Sequence, residues 1–178
     1  MKKKIKNLLA VLLTLTCIMG SLGMSSTSVF ANTGISVSPV YRLYNPNTGD
    51  HFLTIYSSEK NSLVSAGWND EGILCYTPTS SNLEIKRYRN VNNGKHLFVY
   101  IYESLGSEWV SEGTAYYALS DSTQSQKVAV TRLYNPNGDT HTYSTNQTEI
   151  NNLVAAGWKV DGIMGYGTVA QGNTIVYQ

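Results

Sequence analysis

The chain has 178 residues, the length of one ordinary domain. With 42% apolar and 14% charged residues, it is too apolar for a disordered tail and too polar for a multi-span membrane protein. The formal charge of +1 depends on Lys2, Lys3, Lys4 and Lys6; without them 9 basic residues stand against 12 acidic ones, a net −3. Such a body offers no basic face to nucleic acid or anionic lipid, so both are excluded as partners.

The first element in chain order is an export signal over residues 1–31. A lysine-rich start is followed by an apolar run from Leu8 to Met24 and a polar stretch from Ser25 to Ser28. Val29 and Ala31 place cleavage after Ala31. The alternative is an uncleaved anchor, but Thr14, Thr16, Gly20, Ser21 and Gly23 dilute the run and no basic stop-transfer cluster follows. The mature part, residues 32–178, is expected to be secreted or wall-associated, with no stable membrane insertion. It keeps one cysteine, Cys75, so no internal disulfide can form; apolar neighbours mark Cys75 as a buried, inert thiol.

An internal period organises this mature part. Arg42, Arg87 and Arg132 are 45 residues apart, and so are His51, His96 and His141, the chain's 3 histidines. Each copy closes on a Trp-x3-Gly-x3-Tyr pattern: Trp68/Gly72/Tyr76, Trp109/Gly113/Tyr117 and Trp158/Gly162/Tyr166. The copies span about residues 40–78, 85–119 and 130–169.

Within a copy, Val40 to Tyr44 alternates as a strand, with Val40, Arg42 and Tyr44 on one face. Asn45-Pro46-Asn47 and Gly49 make a hairpin loop. A second strand begins near His51, placing His51, Leu53 and Ile55 together. Ser57 to Ala66 predicts a helix terminated by Gly67. The third copy repeats it over 146–156, with Asn146 and Glu149 spaced as a capping box. A third strand runs from Trp68 through Tyr76, its Trp, Gly and Tyr sharing a face if it stays extended. The second copy is four residues shorter between His and Trp, which predicts a helix shortened by one turn. The expected fold class is therefore α+β and β-rich: three strand-strand-helix-strand repeats in one pseudo-threefold domain. It would close as a propeller-like ring, or alternatively pack as a β-trefoil-like domain, with Thr174 to Tyr177 pairing back to the N-terminal segment.

The Tyr41–Thr54 segment, with the later Ala66-Gly67-Trp68 and Glu71-Gly72, resembles the repeat family known as domain of unknown function 5648. Such repeats occur in secreted and cell-surface proteins, largely of Gram-positive bacteria, often in triplicate and beside glycan-active enzymes. The resemblance covers about residues 40–169 and is strongest in copies one and three. Copy two departs from it: Val91 replaces the proline, Arg89 the tyrosine, and no Gly precedes Trp109. The resemblance implies an accessory binding role and supplies no catalytic residues.

The residues themselves give two competing readings. Arg42, Arg87 and Arg132 are expected to pair with the acid before each glycine: Glu71, Glu112 or Asp161. An arginine head on a half-buried strand needs such a partner. Ligand contact is the alternative. His51, His96 and His141 follow turns, where a ring N–H suits loop carbonyls; ligand contact or a three-histidine zinc site are the alternatives, and no metal or other cofactor is expected. Trp68, Trp109, Trp158, Tyr76, Tyr117 and Tyr166 are either core or a carbohydrate-binding set, since aromatic faces stack on the C–H faces of sugars. No nucleophile elbow, zincin, P-loop or dinucleotide motif occurs. The resulting expectation is a secreted, non-catalytic module binding cell-wall or host glycans. The alternatives are a protein-interaction or structural surface module, including an inhibitor, and a carboxylate-based cell-wall hydrolase.

Overall fold

A computed structural model describes residues 35–100, 103–119, 127–168 and 174–175. All lie in the second of the two units into which the chain divides, Asn32–Gln178. The expected export signal, and Val176 and Tyr177 of the expected closing strand, fall outside the described residues. The elements of the first repeat are β1 (Ile35–Tyr44), β2 (His51–Thr54), α1 (Ser57–Ser65) and β3 (Asn69–Pro78). The second contributes β4 (Glu84–Asn90), β5 (His96–Tyr100) and β6 (Trp109–Tyr117). The third contributes β7 (Lys127–Asn135), β8 (Thr140–Ser144), α2 (Gln147–Ala155) and β9 (Lys159–Thr168), and β10 (Thr174–Ile175) follows. Among the described residues no helix is long and apolar enough to cross a membrane.

Two antiparallel sheets result, and they correct the expected architecture. A seven-stranded sheet runs β10-β1-β3-β9-β7-β8 with β2 also on β1, and a separate three-stranded sheet runs β5-β4-β6. The first and third repeats are fused through one backbone pair, Tyr76 with Thr168. Among the described residues the second repeat forms one β-bridge to that sheet, Leu119 with Tyr166. The described strands close neither a propeller-like ring nor a trefoil. Thr174 does pair with Ser36, as expected, but this only extends one edge of the larger sheet.

The second repeat also has no helix among its described residues. Thr54 and Asn69 leave 14 intervening residues in the first repeat, whereas Tyr100 and Trp109 leave 8. Residues 103–106 have no regular structure and 107–108 form a turn, so the described part of this span does not hold the shortened helix expected.

The helix ends explain the Ala-Gly-Trp motif. Gly67 and Gly157 take φ of +92° and +95°, a region glycine enters without strain. Trp68 N–H then donates to Leu63 O at 3.1 Å and Gly67 N–H to Val64 O at 3.0 Å, the paired bonds of a Schellman motif. Trp158 and Gly157 repeat this on Leu153 and Val154 at 3.0 Å each. The tryptophan is thus fixed one residue past the helix glycine, where it can cover the last turn. At the other end of α2, Asn146 Oδ1 accepts from the Thr148 and Glu149 amides, but Glu149 does not complete the capping box. Its carboxylate turns to Arg42 instead, at 2.8 Å.

The expected strand faces fail where β3 bulges. Its register against β1 shifts between Val40 and Tyr41 and again between Tyr41 and Leu43, opposite Gly72, whose φ is +86°. Val40 and Leu43 are consequently both fully buried with Arg42 between them. Gly113 and Gly162 also have positive φ beside register shifts in the other two repeats, so the recurring glycine marks a bulge rather than a shared face with Trp and Tyr.

The core draws one equivalent side chain from each repeat: Leu53, Phe98 and Tyr143, all 0% exposed. Phe98 packs edge-on to Tyr143 at 5.5 Å and to Phe52 at 5.9 Å. The Phe98 amide donates to the Tyr143 hydroxyl at 2.9 Å, which pairs two polar groups inside the apolar centre. Tyr143→Phe should therefore lower the unfolding free energy by about 1–3 kcal/mol, the cost of a buried unpaired amide. Urea denaturation measures this, and an unchanged midpoint would contradict it.

Candidate functional site

The arginine and acid of each copy meet as the spacing predicts. Arg42 Nε lies 2.9 Å from Glu71, Arg87 Nε 2.8 Å from Glu112 and Arg132 Nε 2.8 Å from Asp161. The acid precedes the bulge glycine, and the bulge opposes it to the arginine of the neighbouring strand. A guanidinium has five N–H donors, and the remaining ones reach into another repeat. Arg42 binds Glu149 of the third repeat at 2.8 and 3.1 Å and donates to Tyr143 O at 2.6 Å. Arg87 binds Glu59 of the first repeat at 3.0 Å. Arg132 binds Glu103 of the second repeat at 3.0 and 3.1 Å and donates to Phe98 O at 3.1 Å. Each repeat therefore gives an arginine to one neighbour and an acid to the other. Sequence reasoning missed these second acids as partners, although all three stand seven or eight residues after the histidine.

A second set of contacts runs the other way around from the residue before each histidine. Asp50, 3% exposed, accepts from the His96 amide at 3.0 Å and lies 2.7 Å from its Nδ1. Lys95 donates to Gly138 O and Asp139 O at 2.5 and 3.1 Å. Thr140 donates to Gly49 O at 2.8 Å.

Each histidine faces the acid of its own copy instead of converging with the others. The Nε2 distances are 3.9 Å for His51 to Glu71, 3.7 Å for His96 to Glu112 and 3.3 Å for His141 to Asp161. Among the described residues no group of three or more His, Cys, Asp or Glu could hold a metal ion. Tyr44 lies 5.0 Å from the His51 ring, and Tyr134 takes the same place over His141. In copy two Arg89 replaces this tyrosine and reaches Glu112 at 3.4 Å.

The aromatic candidates are placed differently from one another. Trp68 packs against the core and edge-on to Phe52 at 5.9 Å. Trp158 of the third repeat sits edge-on to His51 of the first at 6.5 Å. Trp109, Tyr76 and Tyr117 are half-buried. Tyr166 lies under the Lys127 ammonium at 4.9 Å and lines an apolar pocket of about 370 Å³ with Leu83, Tyr100, Leu119, Ile163 and Met164. Cys75 is buried, and burial pushes its thiol up to about 12, the inert state expected for it.

The charged clusters border a second cavity, a polar cleft of about 220 Å³ between the first and third repeats. Arg42, Glu71, Ile73, Leu74, Thr145, Asn146 and Glu149 line it. Its two carboxylates differ. Burial raises Glu71 above the ordinary carboxylate range. Burial pushes Glu149 the same way, but hydrogen bonds from Arg42 and Ser144 hold it below that range. Glu71 joins the cleft to the aromatic cluster, because it faces His51, beside which Tyr44 and Trp158 lie.

Burial, aided by the Arg42 charge, pushes the His51 imidazole down to about 4, and burial with Arg132 lowers His141 as well. His51 Nδ1 is buried with no partner in hydrogen-bond geometry. An unfolded histidine titrates near 6.5, so between that pH and about 4 the unfolded chain binds a proton that folded His51 refuses. Stability is then full above about pH 6.5 and falls as the pH drops toward 4, by roughly 3 kcal/mol for His51. His51→Gln should lose clearly less stability than the unmodified protein between pH 7 and pH 4.5 in urea titrations. Equal losses would contradict the assignment.

No curated protein and no solved structure matches this chain. One family model does match, over residues 39–168, which takes in all three repeats. The chain belongs to the family described as domain of unknown function (DUF5648).

Proposed function

We propose that this chain is a secreted, non-catalytic binding module whose ligand is a cell-wall or host glycan. The observation that carries the reading is the polar cleft at the junction of the first and third repeats, with Tyr44 and Trp158 close by around His51. Carboxylates and amides beside aromatic rings suit a ligand with hydroxyl edges and apolar C–H faces. The cleft is shallow, so useful affinity would come from several sites engaging one polymer. A hydrolase is disfavoured because both carboxylates are tied to Arg42 and the same arginine–acid set recurs in every repeat.

A protein-interaction module is the second reading, favoured by a different observation. Ile73, Val110, Val160 and Ile163 are 46–57% exposed at the open starts of β3, β6 and β9. Exposed aliphatic side chains on bulged strand segments suit a protein partner.

Co-sedimentation with purified bacterial cell walls and insoluble polysaccharides separates the two. The glycan reading predicts protein in the pellet, release by soluble sugar, and at least about tenfold weaker retention for a folded Trp158→Ala variant, as expected for loss of stacking worth about 1.4 kcal/mol. Protein that stays in the supernatant with every wall and polysaccharide would sink it in favour of the protein partner.

A further inference from the structure

The polar cleft also constrains the charge of what can enter it. Among the described residues Arg42 is the only cation lining it, and its guanidinium is already committed. Nε binds Glu71, NH1 binds Glu149 and Tyr143 O, and NH2 binds Glu149. Every nitrogen of the fork is engaged inside the protein, so it cannot clamp an incoming carboxylate or phosphate in the bidentate way such anions favour. Of the remaining polar lining groups, Asn146 keeps its side-chain NH2 as a donor, since its Oδ1 is taken by the Thr148 and Glu149 amides, and the others offer acceptors. Glu71 and Glu149 are acceptor-only when ionised, and the Thr145 hydroxyl spends its proton on Leu74 O at 3.2 Å.

The charge balance points the same way. One arginine stands against two glutamates, and neighbouring His51 is neutral at physiological pH. In the equivalent cluster of the second repeat Arg89 joins Arg87 against Glu112 and Glu59, and Asp50 lies alongside on His96. The same excess recurs where Arg132 meets Glu103 and Asp161, and at the first–third junction it lines the polar cleft.

Resting on the glycan reading above, we infer that this cleft takes an uncharged or amine-bearing sugar through its O–H and N–H donors and rejects carboxylated, sulfated and phosphorylated glycans. Glu71 and Glu149 would be the specificity-determining residues. An anionic group placed in the cleft would meet two carboxylates with no free cation among the lining side chains, whereas an ammonium would meet the negative charge left over by Arg42.

The test is retention of the purified protein on three insoluble matrices: chitin (uncharged), chitosan (amine-bearing) and cross-linked polygalacturonate (carboxylated), each at low and physiological salt. The expected result is retention on chitin or chitosan and at least about tenfold weaker retention on polygalacturonate. Glu71→Gln should cut retention on chitosan several-fold more than on chitin, and Glu112→Gln should change neither. Thermal melts confirm that each variant is folded, and the comparison of matrices with the unmodified protein does not depend on any variant. Tighter retention on polygalacturonate would overturn this inference and leave the glycan reading standing. Retention on chitosan that Glu71→Gln and Glu112→Gln lower equally would overturn the role of Glu71. Retention on none of the three, nor on bacterial walls, would overturn both.

Discussion

A half-buried guanidinium has to be paired, and in this protein one pairing rule sets how three repeats assemble. Each arginine binds the acid before the bulge glycine of its own repeat and a second acid from another repeat. The first arginine reaches the third repeat, the second reaches the first, and the third reaches the second. Removing any one head group would leave two carboxylates facing each other across a junction, a costlier outcome than losing a surface pair. The separate three-stranded sheet relies on such side-chain contacts, since among the described residues one β-bridge, just beyond its end, pairs the second repeat with the larger sheet.

Much of the sequence repetition is thereby accounted for by structure. The glycine after the acid permits the bulge, the Ala-Gly-Trp triplet closes a helix, and the Leu53, Phe98 and Tyr143 positions fill one centre. Tyrosine lies over histidine in two repeats, and the arginine that replaces it in the second adds a cation to the local acid. Two cavities lie at the junctions. The residue pairs Ile73–Leu74 and Ile163–Met164, at equivalent positions, each line a cavity; one is polar and the other apolar. Duplication has supplied matching frames, and divergence has given them different linings.

The sequence disclosed the frame better than its closure. The 45-residue spacing of Arg and His located the repeats, because it survives the shortening between His96 and Trp109. The arginine–acid pair within a repeat was legible because a charged head on a half-buried strand demands a nearby partner. The second acids were not, because Glu59 and Glu149 also suit a helix's first turn, and local spacing cannot reveal a contact 107 residues away such as Arg42 with Glu149. That the described part of the second repeat holds no helix turned on the shortened span between His96 and Trp109, which periodicity does not decide. The ring failed because sheet fusion depends on one pair, Tyr76 with Thr168, and no pattern in either strand marks it. The cleft was illegible for the same reason: its residues come from β1, β3, the first turn of α2 and the segment entering it, and only the assembly brings them together.

A double-mutant cycle on Arg42 and Glu149 tests this account most directly. Arg42→Ala, Glu149→Ala and the double variant would be compared by urea denaturation at pH 7 and low salt. If the inter-repeat pair holds the first and third repeats together, the two residues should show a coupling energy of about 1 kcal/mol or more, the range for contacting charged partners. Additive effects within about 0.3–0.5 kcal/mol, as for independent sites, would contradict it.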